Sequence, residues 1–253
     1  MNDNTTISII TPHRLGLNRS QYLAEVRESL LHQEGTRIEW VVCVDGGTQK
    51  QVEQEIHESL YAATPYLIVK VLHASGRFSG PSATRNYALS QVTGKYVSSV
   101  DDDDVLPANA FTKRLELLEA HPDLHWAGGW LQDMDEQRNG AGVWYPPAPA
   151  QVYPAGGIFD CWAAPNSEFP MNTAGLLMRK QAIQAVGGWQ GLPTAEDFGM
   201  IIGLTGTYPG VIVDEITYMY RKHAEQTMQS PGFQEIESHV RQAVWDRAVA
   251  LTK

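Results

Sequence analysis

Cysteine is nearly absent from this sequence: only Cys43 and Cys161 occur in 253 residues. Two cysteines build no disulfide framework, so a packed core must hold the chain, and a reducing cytoplasm is the expected setting. Cys43 lies inside an apolar run and is expected to be a buried core thiol. Long apolar runs are missing too. No stretch of about 18 apolar residues occurs, so no membrane-spanning helix is encoded. The first residues, Met1 to Thr6, are polar and carry neither the basic start nor the apolar stretch of a secretion signal. Positive charge is also scarce. Nineteen Lys and Arg face 29 Asp and Glu, a formal net charge of -10. Such an acidic chain is a poor match for nucleic-acid phosphates, so no nucleic-acid partner is expected. It can still hold a diphosphate if a divalent cation stands between them. Repeats, low-complexity tracts and linkers are absent as well, which points to a single domain.

What is present is a 43% hydrophobic fraction, ample for a core. Its pattern switches between β-rich and amphipathic stretches. Strands are predicted over Thr6 to Thr11, Ile38 to Val44, Tyr66 to Leu72 and Tyr96 to Val100. The second is continuously apolar, as expected of a strand buried on both faces. Helices are predicted over Ser20 to Gln33, with Asn18 or Ser20 as N-cap, and over Gln49 to Ala62, Ser82 to Gln91 and Pro107 to Ala120. Alternating strands and helices imply a mostly parallel, Rossmann-like α/β sheet flanked by helices. Ligands bind such sheets beyond the carboxyl ends of the strands. The second half begins with an irregular, aromatic-rich region from Gly140 to Pro170. A strand at Thr173 to Met178, a helix at Ala195 to Leu204, an extended run at Val211 to Tyr220 and a closing helix from Gly232 to Leu251 follow.

The most conspicuous local feature is Asp101-Asp102-Asp103-Asp104, directly after an apolar strand. Four adjacent carboxylates repel one another. At the carboxyl edge of a sheet they call for a neutralising cation, and oxygen ligands suit Mg²⁺ or Mn²⁺; the bland alternative is a solvated acidic loop. Two other strand ends are polar: Thr11-Pro12, and Asp45-Gly46-Gly47, where glycine lets a ligand approach the backbone. Arg85 opens the helix after the third strand. Alone, Asp45-Gly46 reads as an ordinary turn and Arg85 as a surface charge. Together they gather on one side of one sheet.

In order and spacing these elements resemble the nucleotide-sugar-binding half of family 2 glycosyltransferases, which have the GT-A fold. The first strand, Ile7 to Pro12, ends in proline, and Val42 to Gly47 supplies the acidic, glycine-containing turn. Gly80-Pro81-Ser82-Ala83-Thr84-Arg85-Asn86 matches the glycine-led Ala-Arg-Asn helix, with Thr84 in place of the alanine. Asp101 to Asp104 followed by Pro107 matches the acidic metal motif. Weaker matches follow in Gly187-Gly188-Trp189, in Glu196-Asp197 and in His223 after a late strand. The resemblance implies a donor half at 1–120 and an acceptor and catalytic half at 121–253. It assigns Thr11, Asp45, Arg85, Asp101 and Asp102 to the nucleotide, Asp101 on the ribose. Pro12 and His13 line the same pocket through their backbone. Asp103 binds Mn²⁺ or Mg²⁺, with His223 as the second ligand and Asp104 nearby. Asp197 is the general base of an inverting displacement, with Glu196 holding a sugar beside it. A UDP-sugar is the favoured donor, and the acceptor is a saccharide, a natural product or a peptide. Trp130, Trp144, Trp162 and Trp189 are candidate sugar-stacking faces, with core packing as the alternative.

Two rivals compete. A haloacid-dehalogenase-type phosphatase would use Asp101 and Asp103, but its motif belongs to the first strand and leaves Thr11, Asp45 and Arg85 unexplained. A non-catalytic nucleotide-sugar or carbohydrate-binding module would have no need of Asp197.

Overall fold

In the computed structural model the described residues are 6–252, apart from 18, 57, 75–78, 225 and 227–232. The proposed Asn18 cap and the Gly232 helix start lie outside them. Four β-α steps open the chain: β1 (Thr6–Arg14), α1 (Ser20–Leu31), β2 (Arg37–Asp45), α2 (Gln49–Glu55), β3 (Leu67–His73), α3 (Pro81–Gln91), β4 (Tyr96–Ser99) and α4 (Thr112–Ala120). There follow β5 (Trp126–Met134), β6 (Gly140–Trp144), β7 (Val152–Tyr153), β8 (Leu177–Arg179), α5 (Lys180–Ala185), α6 (Glu196–Thr207), β9 (Gly210–Arg221) and α7 (Phe233–Leu251). The nine strands among the described residues form one sheet in the order β3-β2-β1-β4-β8-β5-β9-β7, with β6 paired to β5. Strands β1 to β4 run parallel. The short β8 reverses the sense between β4 and β5, and β9 returns parallel to β5. The sheet therefore crosses residue 120 without a break.

Strand β2 explains why the sheet holds. Ile38 to Val44 are all buried, Trp40, Val42 and Val44 packing on one side and Val41 and Cys43 on the other. Apolar clusters thus cover both faces of the sheet. Burial pushes the Cys43 thiol up to about 12, so it is inert packing.

Three predicted boundaries need correction. The helix predicted from Pro107 begins only at Thr112. Val105 pairs with Met219 in both directions, which keeps the chain extended there, and Asn109 takes φ 56°, a left-handed turn that no helix contains. The helix predicted over Gln49 to Ala62 stops at Glu55, where Ile56 turns extended, and a separate 3-10 turn covers Glu58–Tyr61. The strand predicted from Thr173 is confined to Leu177–Arg179, because Asn172 closes a turn on Ala174 and Gly175 takes φ +68°.

Candidate active site

The acidic run leaves β4 at the carboxyl edge of the parallel strands, and each of its carboxylates has protein partners, Arg19 being shared by two of them. Asp101 pairs with Arg85 at 2.6 Å. Asp102 takes His13 Nδ1 at 2.6 Å and Arg19 Nη1 at 3.1 Å. Asp103 Oδ2 takes Arg19 Nη1 and His223 Nε2, each at 2.9 Å. Asp104, fully buried, accepts from the Tyr218 hydroxyl and the Arg221 amide, both at 2.8 Å. Arg221 locks the turn from behind, donating to the Asp103 carbonyl and to Glu25. Protein cations, Arg19 and Arg85 among them, therefore share out part of the repulsion for which a neutralising divalent cation is expected. A bias toward cations survives. Burial and then the neighbouring carboxylates hold Asp103 and Asp104 above the usual carboxylate range.

The Asp103 and His223 donor atoms, 2.9 Å apart, are spaced like two adjacent ligands of one small cation, about 3 Å for bonds of about 2.1 Å. Among the described residues no group of three or more His, Cys, Asp or Glu side chains is arranged to hold a metal. Two protein ligands fit a Mg²⁺-type ion that completes its shell from phosphates and water.

Arg85, on α3, is the hub of the opposite side. Its Nε donates to Ser99, Nη1 to Glu196 at 2.8 Å and Nη2 to Asp101, so all three nitrogens are engaged. It joins the end of β4 to the start of α6 instead of reaching out as a free surface charge. Glu196 and Asp197 occupy the first turn of α6, where the helix dipole favours carboxylates. Ala195, at φ 54°, turns the chain into that helix. Asp197 stands 3.9 Å from Arg85 and is 35% exposed. Its carboxyl is pushed up to about 8, by burial first and then by Glu196, with Arg85 opposing. Arg85, Ser99, Asp101, Trp189, Asp197 and Tyr218 line one cleft, floored by residues 173–176.

Two further contacts shape that cleft. The Asn86 side chain takes both backbone groups of Trp189, donating to its carbonyl at 2.7 Å and accepting from its amide at 2.9 Å. Gly188 (φ +71°) makes this possible, since a Cβ there would run into Asn86 Oδ1. The Ala-Arg-Asn-like helix and the Gly-Gly-Trp turn are therefore one device. On the floor, the Gly175 carbonyl is held by Arg114, a fully buried arginine whose other donors go to the Ala110 carbonyl. Burial pushes Arg114 down to about 9.

The remaining predicted residues separate clearly. Asp45 caps the approach to α3, accepting from the Gly80 amide at 2.9 Å. The Thr11 hydroxyl is fully buried against Trp40 Nε1, so this side chain faces the core. Pro12 is half-buried on β1. The His13 ring is buried between Asp102 and Glu55, its Nε2 3.2 Å from the latter. Trp162 is packed edge-on against Phe169 and Trp245 and offers no free face. Trp130 meets Tyr145, and Trp144 donates to Glu168.

The family model "Glycosyl transferase family 2" matches residues 8–184. The chain belongs to glycosyl transferase family 2. Its match spans the strands from β1 to β8, the acidic run and the cleft floor, and ends before α6. This family 2 chain is 34% identical over 125 residues to the uncharacterized glycosyltransferase YibD of Escherichia coli, covering 49% of this chain and 34% of that one. It spans 40% or less of the length of the curated relatives it matches. Its fold is similar to that of S. aureus TarS 1-349 in complex with UDP-GlcNAc, with a TM-score of 0.65 at 20% identity, covering 93% of this chain and 66% of that chain. It is also similar to the mannosyltransferase PcManGT of Pyrobaculum calidifontis in complex with GDP-Man and Mn²⁺, with a TM-score of 0.56 at 14% identity, covering 97% and 73%. The fold is accordingly of the GT-A type. No helix among its described residues is long and apolar enough to cross a membrane.

Sequence reasoning missed Arg19, Glu55, Arg114, Tyr218 and Arg221 in this family 2 site. Each makes its decisive contact with a residue far away in sequence, so no local pattern marks it. Asn86 was legible only as part of a motif, because its partner Trp189 is 103 positions away.

Proposed function

We propose that this chain moves a sugar from a nucleoside-diphosphate sugar, with UDP favoured, to a nucleophile on a saccharide, natural product or peptide, inverting the anomeric carbon. The observation that carries this reading is the shared cleft. Asp101, ending the donor-half sheet, and Asp197, opening α6, line one pocket and are tied through Arg85. A donor placed by the first group presents its anomeric carbon to the second.

Asp45 and Asp101 would contact the nucleoside, with Arg85 setting the position of Asp101. Thr11 and Pro12 would contribute backbone, since the Thr11 hydroxyl is engaged inside. His13 would act through Asp102. Asp103 and His223 would hold Mn²⁺ or Mg²⁺. Such an ion, when bound, offsets the charge that the leaving diphosphate develops. Asp197 would take the acceptor proton. Its raised carboxyl matches a base working near neutral pH, and Arg85, which binds Glu196 and Asp101 more closely, reaches Asp197 only at 3.9 Å. Glu196 would orient the sugar next to it. The unpaired Cys43 and Cys161 accord with a reducing, cytoplasmic location.

The test uses α-linked nucleoside-diphosphate sugars, a panel of acceptors and Mg²⁺. Release of nucleoside diphosphate with a β-linked product, read from the anomeric NMR coupling constant, is expected. An α-linked product would overturn the inverting base. Tight donor binding with no turnover would favour the non-catalytic module.

A further inference from the structure

Asp103 Oδ2 is within 2.9 Å of both Arg19 Nη1 and His223 Nε2. A carboxylate oxygen has two in-plane lone pairs, and here both are taken. The same guanidinium nitrogen spans to Asp102 Oδ1 at 3.1 Å, while His13 holds the other Asp102 oxygen. Arg19 is buried, and it stands directly at the N-terminus of α1, after the turn that leaves β1 at the carboxyl edge. That turn contains Gly16 at φ +85°, and the first turn of α1 carries no acidic residue.

A divalent cation that took Asp103 and His223 as ligands would need one of the two lone pairs. It would also face a fixed positive charge at contact distance, and like charges repel strongly where water is scarce. His223 Nε2 ligates only by giving up its hydrogen bond to Asp103, which frees that lone pair for the cation, and the repulsion then falls on the contact that remains, that of Arg19 with Asp103. A guanidinium released there would stand beside Asp103 and His223, within reach of a diphosphate that approached a cation held by them. Its planar fork suits phosphate oxygens, and the positive end of α1 adds to the same pull.

We propose that Arg19 is an exchangeable counter-ion and a donor-binding residue: it joins Asp102 to Asp103 until a cation arrives, then yields Asp103 and turns to the donor diphosphate. This rests on Asp103 and His223 being the cation ligands. It has a signature that a merely structural residue lacks, because its removal moves two affinities in opposite directions. Without Arg19 the cation loses a competitor, and the nucleotide loses a partner.

The experiment titrates Mn²⁺ alone, followed by the electron paramagnetic resonance of free Mn²⁺, and then UDP at saturating Mn²⁺ by calorimetry. Arg19→Gln should bind Mn²⁺ about tenfold more tightly than the parent and UDP about tenfold more weakly. Arg19→Lys keeps the charge but not the fork. It should bind Mn²⁺ like the parent and UDP more weakly, and it stands in if Arg19→Gln does not fold by circular dichroism. An Arg19→Gln protein that binds Mn²⁺ no better than the parent overturns the exchange, as does an Arg19→Lys protein that binds UDP like the parent. If the parent itself takes up no Mn²⁺ even with UDP, the cation site fails, and the exchange with it. Mn²⁺ uptake by the parent with equal affinities in the variants sinks the exchange alone.

Discussion

Asp197 and Glu196 are sequence neighbours with different surroundings. Glu196 is buried and receives Arg85 at 2.8 Å, whereas Asp197 faces the cleft at 3.9 Å from the same guanidinium. Only the second is placed to exchange a proton with a ligand. Asp197→Asn keeps size and polarity and loses basicity, so turnover should fall by about 10²-fold or more while UDP affinity stays near that of the parent. Kinetics and calorimetry on one preparation separate the two. The raised carboxyl fixes the sign of a pH effect. A base that must be ionised is inactive while protonated, so kcat/KM measured with Mg²⁺ should rise with pH and level off above about 8. The Asn variant should lack that rise. A parental profile that falls over the same range would show that Asp197 acts as an acid.

At the scale of elements, the site depends on α3 and α6 keeping a fixed relation, and Asn86 is the clasp between α3 and the Gly188-Trp189 turn. Asn86→Ala leaves the Trp189 amide and carbonyl without their partners, a loss of about 1–3 kcal/mol. Gly188→Ala combines φ +71° with a Cβ directed at Asn86 Oδ1 and should also cost about 1–3 kcal/mol. The two changes share an atom, so they should not add: Gly188→Ala should cost less in the Asn86→Ala background. Urea unfolding of the four proteins checks this, and strict additivity would show that the clasp does not couple them. Arg114 plays a similar part below the cleft, joining α4 to the Gly175 carbonyl. Arg114→Ala strands that carbonyl and empties a buried volume, and a loss of about 3 kcal/mol or more is expected from thermal unfolding.

For the whole molecule the governing quantity is charge. With a net charge of -10 and four consecutive aspartates at the carboxyl edge of the sheet, a bare diphosphate would meet repulsion that a divalent cation removes. UDP should therefore raise the melting temperature with Mg²⁺ or Mn²⁺ present and not with chelator. At a hundredfold excess over the dissociation constant the gain is about 2.7 kcal/mol. Equal stabilisation in chelator would show that Arg19 and its neighbours hold the diphosphate without a metal.

The strand-helix alternation, the continuous burial of Ile38 to Val44 and the position of the acidic run were all legible in the sequence, because each is a property of neighbouring residues: period, apolar run, charge density. So was the pairing of an acidic edge with a late Glu-Asp turn, through the motifs that carry them. Helix ends were misplaced where long-range contacts overrode local preference, as when the Val105–Met219 bridge kept Pro107 out of α4. What tertiary structure alone decided was how the charges are shared. That Arg85 serves Asp101 and Glu196, that Arg19 spans Asp102 and Asp103, and that Tyr218 and Arg221 hold Asp104 depend on elements meeting across 16 to 117 positions. Pairing of ions depends on distance in space, and only the folded sheet brings those side chains within a few ångströms of one another.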